Sequence, residues 1–347
     1  MQENQKGNVF SINQIPEPHD INEVIYSLMV NPNLAPVNYF NEFSDDAIDP
    51  ENVVSKDTDG AGIFEVDGLN GPFAMTTHAM HKHLETDPQK ATEILISKAV
   101  RKMLCFGARP ISVSAFLYHI NVADPNGQFI SEGAKVGVEN AAKAFGLKVS
   151  DRKVRFDNIN DRVTVPPTII ISMLGKFDAE KPILTPDFKN KGNNIFVIGK
   201  NVDDIAASEY LEFYHEVHES SLPAFALSRE QQIHGVVRGL HQEGLIQSAS
   251  PVGKGGLFFS LLRAGLPGDL GFDITTDAET RKDAFLFGEA MGRIIVGVNP
   301  EKEDDFLDYM RSSKLPFFTL GHVTKGEIRI DDESFGYVDK MEMNFEG

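Results

Sequence analysis

The chain has 347 residues, of which 41% are hydrophobic and 24% charged; these proportions are typical of folded globular proteins and exclude a disordered or fibrous chain. At about 150 residues per domain, this length predicts two domains. The 33 Lys and Arg residues against 51 Asp and Glu residues give a net charge of −18, which predicts repulsion from nucleic acids and anionic membranes. No apolar run is long enough to predict a membrane span.

The cysteine content limits the possible chemistry. The single cysteine, Cys105, excludes a disulfide framework and a cysteine-based zinc site, and it predicts a reducing, cytoplasmic location. Cys105 lies in an apolar helical pattern before Gly107, without a glycine-rich nucleophile turn around it, so we predict a core position rather than a glutaminase nucleophile. The N-terminal segment lacks the pattern of a signal peptide, which predicts no secretion.

The first half of the sequence alternates predicted helices and strands. Asp20, with Glu23 three residues later, predicts the start of a helix that ends at the Asn31-Pro32-Asn33 turn. The acidic stretch over 41–59 is typical of a solvated linker. Further predicted elements are strands at 63–66 and 73–76, a helix from Asp87-Pro88 to Gly107, a strand at 111–117, a helix at 132–145 and a strand at 168–174.

The second half repeats this alternation after a segment over 178–194 that is rich in Pro, Lys, Asn and Gly. Its predicted elements are strands at 195–198, 245–248, 272–275 and 293–298, helices at 228–243, 256–264 and 302–312, and closing strands from Phe317 and Ile328. The whole pattern predicts an α/β or α+β chain. We divide it into a helix and acidic linker over 1–54, an α/β domain over 55–180 and a second α/β domain over 190–340.

Three clusters of residues are candidates for chemistry. The first is Asp57-Thr58-Asp59-Gly60-Ala61-Gly62. The second comprises Thr76-Thr77-His78, Asp87-Pro88 and Gly107-Ala108-Arg109-Pro110, and the third comprises Ala207-Ser208-Glu209-Tyr210-Leu211, Gly255-Gly256-Leu257 and Phe287-Gly288-Glu289. Their order and spacing over 21–321 resemble the aminoimidazole ribonucleotide synthetase superfamily of ATP-dependent enzymes. Within it, the C-terminal synthetase module of the phosphoribosylformylglycinamidine synthases is most similar.

This resemblance implies a fold and a reaction. The implied fold has an N-terminal α/β domain, whose strands join a second module or chain in a shared barrel, and a C-terminal α/β domain. The implied reaction activates an amide oxygen with ATP and magnesium and then substitutes nitrogen. For a lone module the resemblance implies a homodimer, because one module supplies half of the barrel, and a separate glutaminase subunit as the source of ammonia.

The resemblance also implies metal and catalytic residues. Asp59 stands at the acidic position that binds magnesium in active members, with Asp57 beside it; an exposed acidic turn is the alternative. Asp87 and Glu289 are further candidate metal ligands. His78 matches the Thr-His pair that carries the catalytic histidine in the other module type of the same enzyme, and its alternative is an exposed loop position.

Phosphate contacts are predicted in the third cluster. Gly255 and Gly256 open a helix whose backbone N–H groups can receive a phosphate, or they allow close packing of that helix. The resemblance implies a magnesium-binding aspartate at the position of Lys254, so this lysine would repel a divalent cation and could neutralise a phosphate directly; a solvated loop lysine is the alternative. Ser208 and Glu209 are predicted nucleotide contacts, with support of a helix as the alternative.

Together these features predict a purine-biosynthesis module that binds ATP, ADP or a ribonucleotide phosphate. Two alternatives stay open: a catalytically silent paralogue that acts as a binding or assembly subunit, and an aminoimidazole ribonucleotide synthetase-like cyclo-ligase. The replacement of two family aspartates by Pro251 and Lys254 favours the silent paralogue and puts magnesium in question. Asp59, Asp87 and Glu289 favour an active enzyme.

Overall fold

The structure is a computed structural model that describes residues 11–34, 53–56, 61–66, 68, 71–155, 165–178 and 180–345. The α-helices are α1 (Ile21–Met29), α2 (Pro88–Cys105), α3 (Pro125–Phe145), α4 (Leu227–Gln242), α5 (Gly256–Gly265), α6 (Lys282–Phe287), α7 (Glu303–Ser313) and α8 (Val338–Phe345). Short 3-10 turns lie at Ile12–Gln14, Leu266–Gly268 and Pro300–Lys302, and a π-helical turn lies at Tyr210–Tyr214.

The first half forms a six-stranded sheet with the strand order β1-β2-β3-β6-β4-β5. Its strands are β1 (Val53–Lys56), β2 (Ala61–Phe64), β3 (Phe73–Met80), β4 (Arg109–Tyr118), β5 (Lys148–Arg155) and β6 (Thr168–Lys176). Neighbouring strands are antiparallel except β4 and β5, which are parallel. The parallel pair is joined by α3, as a crossover connection requires.

The second half forms a seven-stranded sheet with the order β13-β12-β9-β11-β7-β10-β8. Its strands are β7 (Asn194–Ile198), β8 (Ser248–Pro251), β9 (Gly271–Ile274), β10 (Ile294–Val298), β11 (Phe317–Thr324), β12 (Glu327–Ile330) and β13 (Glu333–Tyr337). Only β9 and β12 pair in parallel among these described strands. The predicted mixture of helices and strands is confirmed, and the prevalence of antiparallel pairs makes the fold α+β.

The helix starts follow from local capping chemistry. The Asp20 side chain accepts a hydrogen bond from the N–H of Asn22 at 2.8 Å, and that of Asp87 accepts one from Lys90 at 3.0 Å. Pro88 follows Asp87 at the first helical position, where its missing N–H costs no bond. The starts predicted for α1 and α2 are therefore confirmed.

Several element boundaries differ from the predictions. Helix α3 begins at Pro125, because Asp124 caps it, and not near residue 132. Strand β8 is Ser248–Pro251 rather than 245–248. Strands β1, β5 and β13 and helices α6 and α8 were not predicted. Strand β1 lies within the stretch 41–59 that was predicted to be a linker, so that prediction was wrong for residues 53–56. Strand β5 was missed because its residues are mostly exposed and charged and therefore lack an apolar alternation.

One face of the first sheet lies against α2 and α3, and the two halves of the chain share a hydrophobic core. On β6, buried Ile169, Ile171 and Met173 alternate with partly exposed residues on the opposite face. The buried face belongs to a cluster that also contains Phe196 and Ile198 of β7. The other face of β7 contributes to a second cluster with α1 and α5. This packing fixes α2 against the second half of the chain, where the candidate site lies.

No helix among the residues described is both long and apolar enough to cross a membrane. Cys105 is buried near the end of α2, which confirms its predicted core position.

Candidate functional site

Segments from five parts of the chain meet around two carboxylates, Glu209 and Glu289. Glu209 is only 9% exposed and Glu289 only 8%. We call this cluster the carboxylate junction, and its members are Asn31, Asn33, Lys98, Glu209, Lys254, Gly255 and Glu289. The junction unites the three segments of the third sequence cluster with the Asn-Pro-Asn turn and helix α2.

Glu289 joins two of these segments through a single oxygen. Its Oε1 accepts hydrogen bonds from the backbone N–H of Glu209 and from that of Gly255, both at 2.9 Å. Glu289 follows α6, whereas Glu209 precedes the π-helical turn and Gly255 precedes α5. The carboxylate therefore lies at the positive N-terminal end of α5, which stabilises its charge.

Glu209 is held by side chains from two distant segments of the chain. Its Oε2 accepts hydrogen bonds from Nδ2 of Asn31 at 2.9 Å and from Nδ2 of Asn33 at 3.1 Å. Its Oε1 lies 3.8 Å from Nζ of Lys254, whose side chain is 59% exposed. Lys254 is thus an ion-pair partner of Glu209 whose ammonium still faces solvent.

Helix α2 contributes positive charge from the first half of the chain. Lys98 is partly exposed and interacts electrostatically with Glu289, Glu209 and Lys254. One turn later, Arg101 is 3% exposed; its Nε lies 3.3 Å from Oε2 of Glu230. The same guanidinium places Nη2 3.1 Å from Sδ of Met291. The α2 face that carries Lys98 therefore packs against the segment that contains Glu289.

Burial and charge act in opposite directions on the junction groups. Burial raises the pKa of Glu289, while the Lys98 ammonium and the two backbone donors oppose this shift. Burial lowers the pKa of Lys98, and the Glu289 carboxylate opposes it. Each group thus partly offsets the desolvation of the other.

The glycine pair at the start of α5 has internal partners. The N–H of Gly255 is bonded to Glu289, and the N–H of Gly256 donates to the carbonyl of Gly253 at 3.0 Å. Gly256 has φ +73°, and a Cβ built there would lie 2.5 Å from the carbonyl carbon of Phe287. The structure thus gives the Gly256 position a packing role. Phosphate contact by Gly255 and Gly256 remains a prediction, and both amides already have acceptors.

Ser208 also has local partners. Its Oγ donates to the carbonyl of Ile205 at 2.6 Å and accepts from the N–H of Leu211 at 3.1 Å. The side chain is fully buried. These bonds correspond to the helix-supporting alternative for Ser208, whereas Glu209 lies in the junction.

The predicted metal ligands are not brought together in the described part of the chain. Asp87 caps α2, and Glu289 binds two backbone amides. Asp57 and Asp59 lie outside the described residues. Among the residues described, no group of three or more His, Cys, Asp or Glu side chains is arranged to hold a metal ion.

The described residues around Glu289 also do not fit a magnesium site. Magnesium prefers carboxylate oxygens with near-octahedral geometry, whereas one Glu289 oxygen already accepts two backbone N–H groups. Lys98 and Lys254 place ammonium groups beside the same carboxylates. A divalent cation here would be repelled by these two charges.

His78 lies on β3, opposite Ile171 of β6, and not in a loop. Its Nε2 is 3.0 Å from Oγ1 of Thr76. Its catalytic role remains a prediction.

Sequence reasoning missed Lys98 and did not foresee the contacts of Asn31 and Asn33. The signal for Lys98 was a lysine in the middle of a helix with a predominantly apolar face. For the two asparagines, the signal was the turn itself, since asparagine side chains beside a proline commonly bond to nearby groups. Neither signal identifies a partner more than a hundred residues away in the chain, such as Glu209.

Residues 190–332 match the family described as AIR synthase related protein, C-terminal domain. The phosphoribosylformylglycinamidine synthase subunit PurL of Alkaliphilus metalliredigens is 26% identical over 319 residues, which cover 92% of this chain and 43% of that relative. PurL of Carboxydothermus hydrogenoformans is 29% identical over 328 residues, or 93% of this chain and 44% of the relative. The chain thus spans less than half the length of these curated relatives.

Solved structures share the fold. The structure of T. maritima PurL complexed with FGAR has a TM-score of 0.70 at 14% identity and covers 94% of this chain and 54% of its own. A chain from a HypE-HypF complex has a TM-score of 0.62 at 18% identity, with coverage of 86% and 96%. At these identities the similarity establishes the fold alone.

Proposed function

Because the chain is a PurL-like member of the AIR synthase-related superfamily, we propose that it is a synthetase module of purine biosynthesis that binds a nucleotide or ribonucleotide phosphate. The relatives named PurL favour the phosphoribosylformylglycinamidine synthase type over the cyclo-ligase alternative. We therefore propose that this chain binds ligands of the same kind as its longer relatives. ATP and ADP are the proposed nucleotides.

The observation that carries the proposal is the meeting of separate motif segments at one junction. The backbone of Glu209 and that of Gly255 both bond to Glu289, although 80 and 34 residues separate them from it in the sequence. Chance similarity of short sequence motifs would give no reason for these three positions to lie in contact. The cluster therefore supports a common binding region that the family resemblance implies.

Lys254 is the proposed phosphate contact. Its ammonium is exposed and pairs only loosely, at 3.8 Å, with Glu209. A phosphate could approach it from solvent and gain a charge-assisted hydrogen bond. We do not assign the phosphate to the amides of Gly255 and Gly256, because both have internal acceptors.

A second candidate function is a catalytically silent binding subunit. The observation in its favour is the presence of Lys98 and Lys254 beside the junction carboxylates, where they oppose a divalent cation. Phosphoryl transfer depends on metal-centred charge neutralisation, so such a site would bind phosphate and transfer it poorly. The two functions therefore share the binding step and differ in turnover.

The proposed partners are a second copy of the chain and a separate glutaminase. The partly exposed face of the first sheet carries Met75, which is 50% exposed and lies opposite Leu174 in the register. It also carries Phe116, which lies opposite Ile170. An apolar sheet face of this kind favours coverage by another subunit. Ammonia for any amidotransfer would come from the glutaminase.

Nucleotide binding is tested by isothermal titration calorimetry with ADP and ATP, with adenosine as the control that lacks phosphate. The proposal expects saturable binding of the phosphorylated ligands and much weaker binding of adenosine. Equal affinity for adenosine and ADP would contradict a phosphate-directed site. Absence of binding by every ligand, with an intact fold in circular dichroism, would contradict the proposed function as a whole.

A further inference from the structure

Two poorly exposed carboxylates lie close together at the junction and require compensating charge. Glu289 accepts the backbone N–H of Glu209 itself, so the two residues are in direct contact through main chain and side chain. The Glu209 carboxylate also raises the pKa of Glu289, after the larger effect of burial. Leaving two such charges without cations would cost several kcal/mol in a protein interior.

The compensating charges come from two lysines on different halves of the chain. Lys254 lies in the turn before α5 and pairs with Glu209. Lys98 lies on α2, and the contacts of Arg101 with Glu230 and Met291 hold that face of the helix against the Glu289 segment. The buried Arg293 also interacts electrostatically with Glu289, so three cationic side chains offset the two junction carboxylates.

We propose that Lys98 and Lys254 are built-in cations of the carboxylate junction, which take the place of a divalent metal ion and exclude one from it. A magnesium ion at the junction would add two positive charges next to two ammonium groups. The packing of α2 on the Glu289 segment is shown by Arg101, which lies one turn after Lys98 and contacts Met291 and Glu230. The inference requires no nucleotide and stands apart from the proposed function.

The first test compares the wild-type chain in chelator and in millimolar magnesium or manganese. The inference expects the same melting temperature in both conditions and no manganese binding at the junction by calorimetry. Metal binding that stabilises the wild type and disappears in Glu289→Gln would overturn it. The comparison in the wild type needs no ligand other than the metal.

The second test removes both lysines and restores a carboxylate at position 254. The double variant Lys98→Met with Lys254→Asp would have three carboxylates and no lysine at the junction. We expect it to bind manganese at least about tenfold more tightly than the wild type and to gain melting temperature when the metal is added. A folded double variant with no gain of affinity would overturn the inference.

A matched control separates the junction from ordinary surface charge. Lys302 has a side chain that is 52% exposed and lies 3.2 Å from Asp305, so it resembles Lys254 in exposure and in having one carboxylate partner. Lys302→Asp adds one carboxylate to an acidic surface segment, residues 301–305, outside the junction. It should not acquire the manganese affinity of the double variant, and an equal gain would overturn the assignment to Lys98 and Lys254.

Discussion

The backbone N–H of Gly255 donates a 2.9 Å hydrogen bond to Oε1 of Glu289, so a carboxylate of the chain itself occupies the start of helix α5. The start of a helix attracts anions because its first N–H groups are unpaired and the helix dipole is positive there. In this protein the anion bound at the helix start is the Glu289 carboxylate. A phosphate that binds here would therefore contact the exposed Lys254 ammonium rather than the N–H groups at the start of the helix.

Removal of the Glu289 carboxylate should destabilise the fold. Glu289→Ala loses two backbone hydrogen bonds and removes one of the two junction carboxylates that interact with Lys98, so we expect a loss of about 2–4 kcal/mol in the free energy of unfolding. Glu289→Gln keeps a side-chain oxygen that can accept both bonds, and we expect a smaller loss. Urea denaturation measures both.

Glu301→Ala provides the control, because Glu301 is an exposed acidic residue. It should change the free energy of unfolding by less than about 0.5 kcal/mol. If Glu289→Ala were as mild as this control, Glu289 would not be holding the junction together.

Gly256 should tolerate substitution much less well than another glycine with similar backbone geometry. In Gly256→Ala the new Cβ would lie 2.5 Å from the Phe287 carbonyl carbon at φ +73°, whereas at Gly146, with φ +66°, no atom lies within 4 Å. Both variants share the cost of a left-handed alanine, about 1–2 kcal/mol. We expect Gly256→Ala to lose at least about 2 kcal/mol more, as overpacking does. Equal losses in thermal or urea unfolding would argue against the close approach of α5 and α6.

The sequence predicted the elements whose signals are local. Asp87 and Pro88 predicted the start of α2, because a capping side chain and a proline act within one turn of the helix. The alternation of buried residues in β6 follows the period of a strand. Strand β5 gave no such signal: it is an edge strand, and Lys153 and Arg155 face solvent where a central strand would have apolar residues.

The candidate site was only partly predictable. The structure brings the predicted site residues Glu209, Lys254 and Glu289 together, but no local rule gives the direction of their side chains, and their roles remain predictions. Glu289 proved to bind backbone amides, and Asp87 to cap a helix. Lys98 enters the site because α2 packs against the second half of the chain, which is a tertiary relationship that spacing within a helix does not encode.

Oligomeric state provides a separate prediction. We expect a homodimer in light scattering, with twice the 38.4 kDa mass of the chain. Met75→Glu would place a charge on the partly exposed face of the first sheet and should shift the mass toward the monomer. Tyr26→Glu is the matched control, since Tyr26 is 51% exposed against 50% for Met75 but lies on α1. A monomeric wild type would contradict the proposal that this sheet face is covered by a second copy of the chain.

Amidotransfer should be absent or very slow in the purified chain. With ATP, ammonium and formylglycinamide ribonucleotide, we expect little ADP release, because metal-centred stabilisation contributes several kcal/mol to such reactions and each 1.36 kcal/mol is about tenfold in rate. Rapid ADP release that depends on the ribonucleotide would contradict a degenerate site. In that case His78→Ala would test whether the histidine on β3 takes part.

The central claim, that an exposed lysine replaces a metal ion in phosphate recognition, is tested most directly by calorimetry with ADP in magnesium and in chelator. We predict similar affinities in both conditions for the wild type. We also predict a loss of about 1–3 kcal/mol in binding free energy for Lys254→Ala, the scale of a hydrogen bond to a charged group, and no loss for Lys302→Ala. Binding that disappears in chelator, or that is unchanged in Lys254→Ala, would contradict the claim.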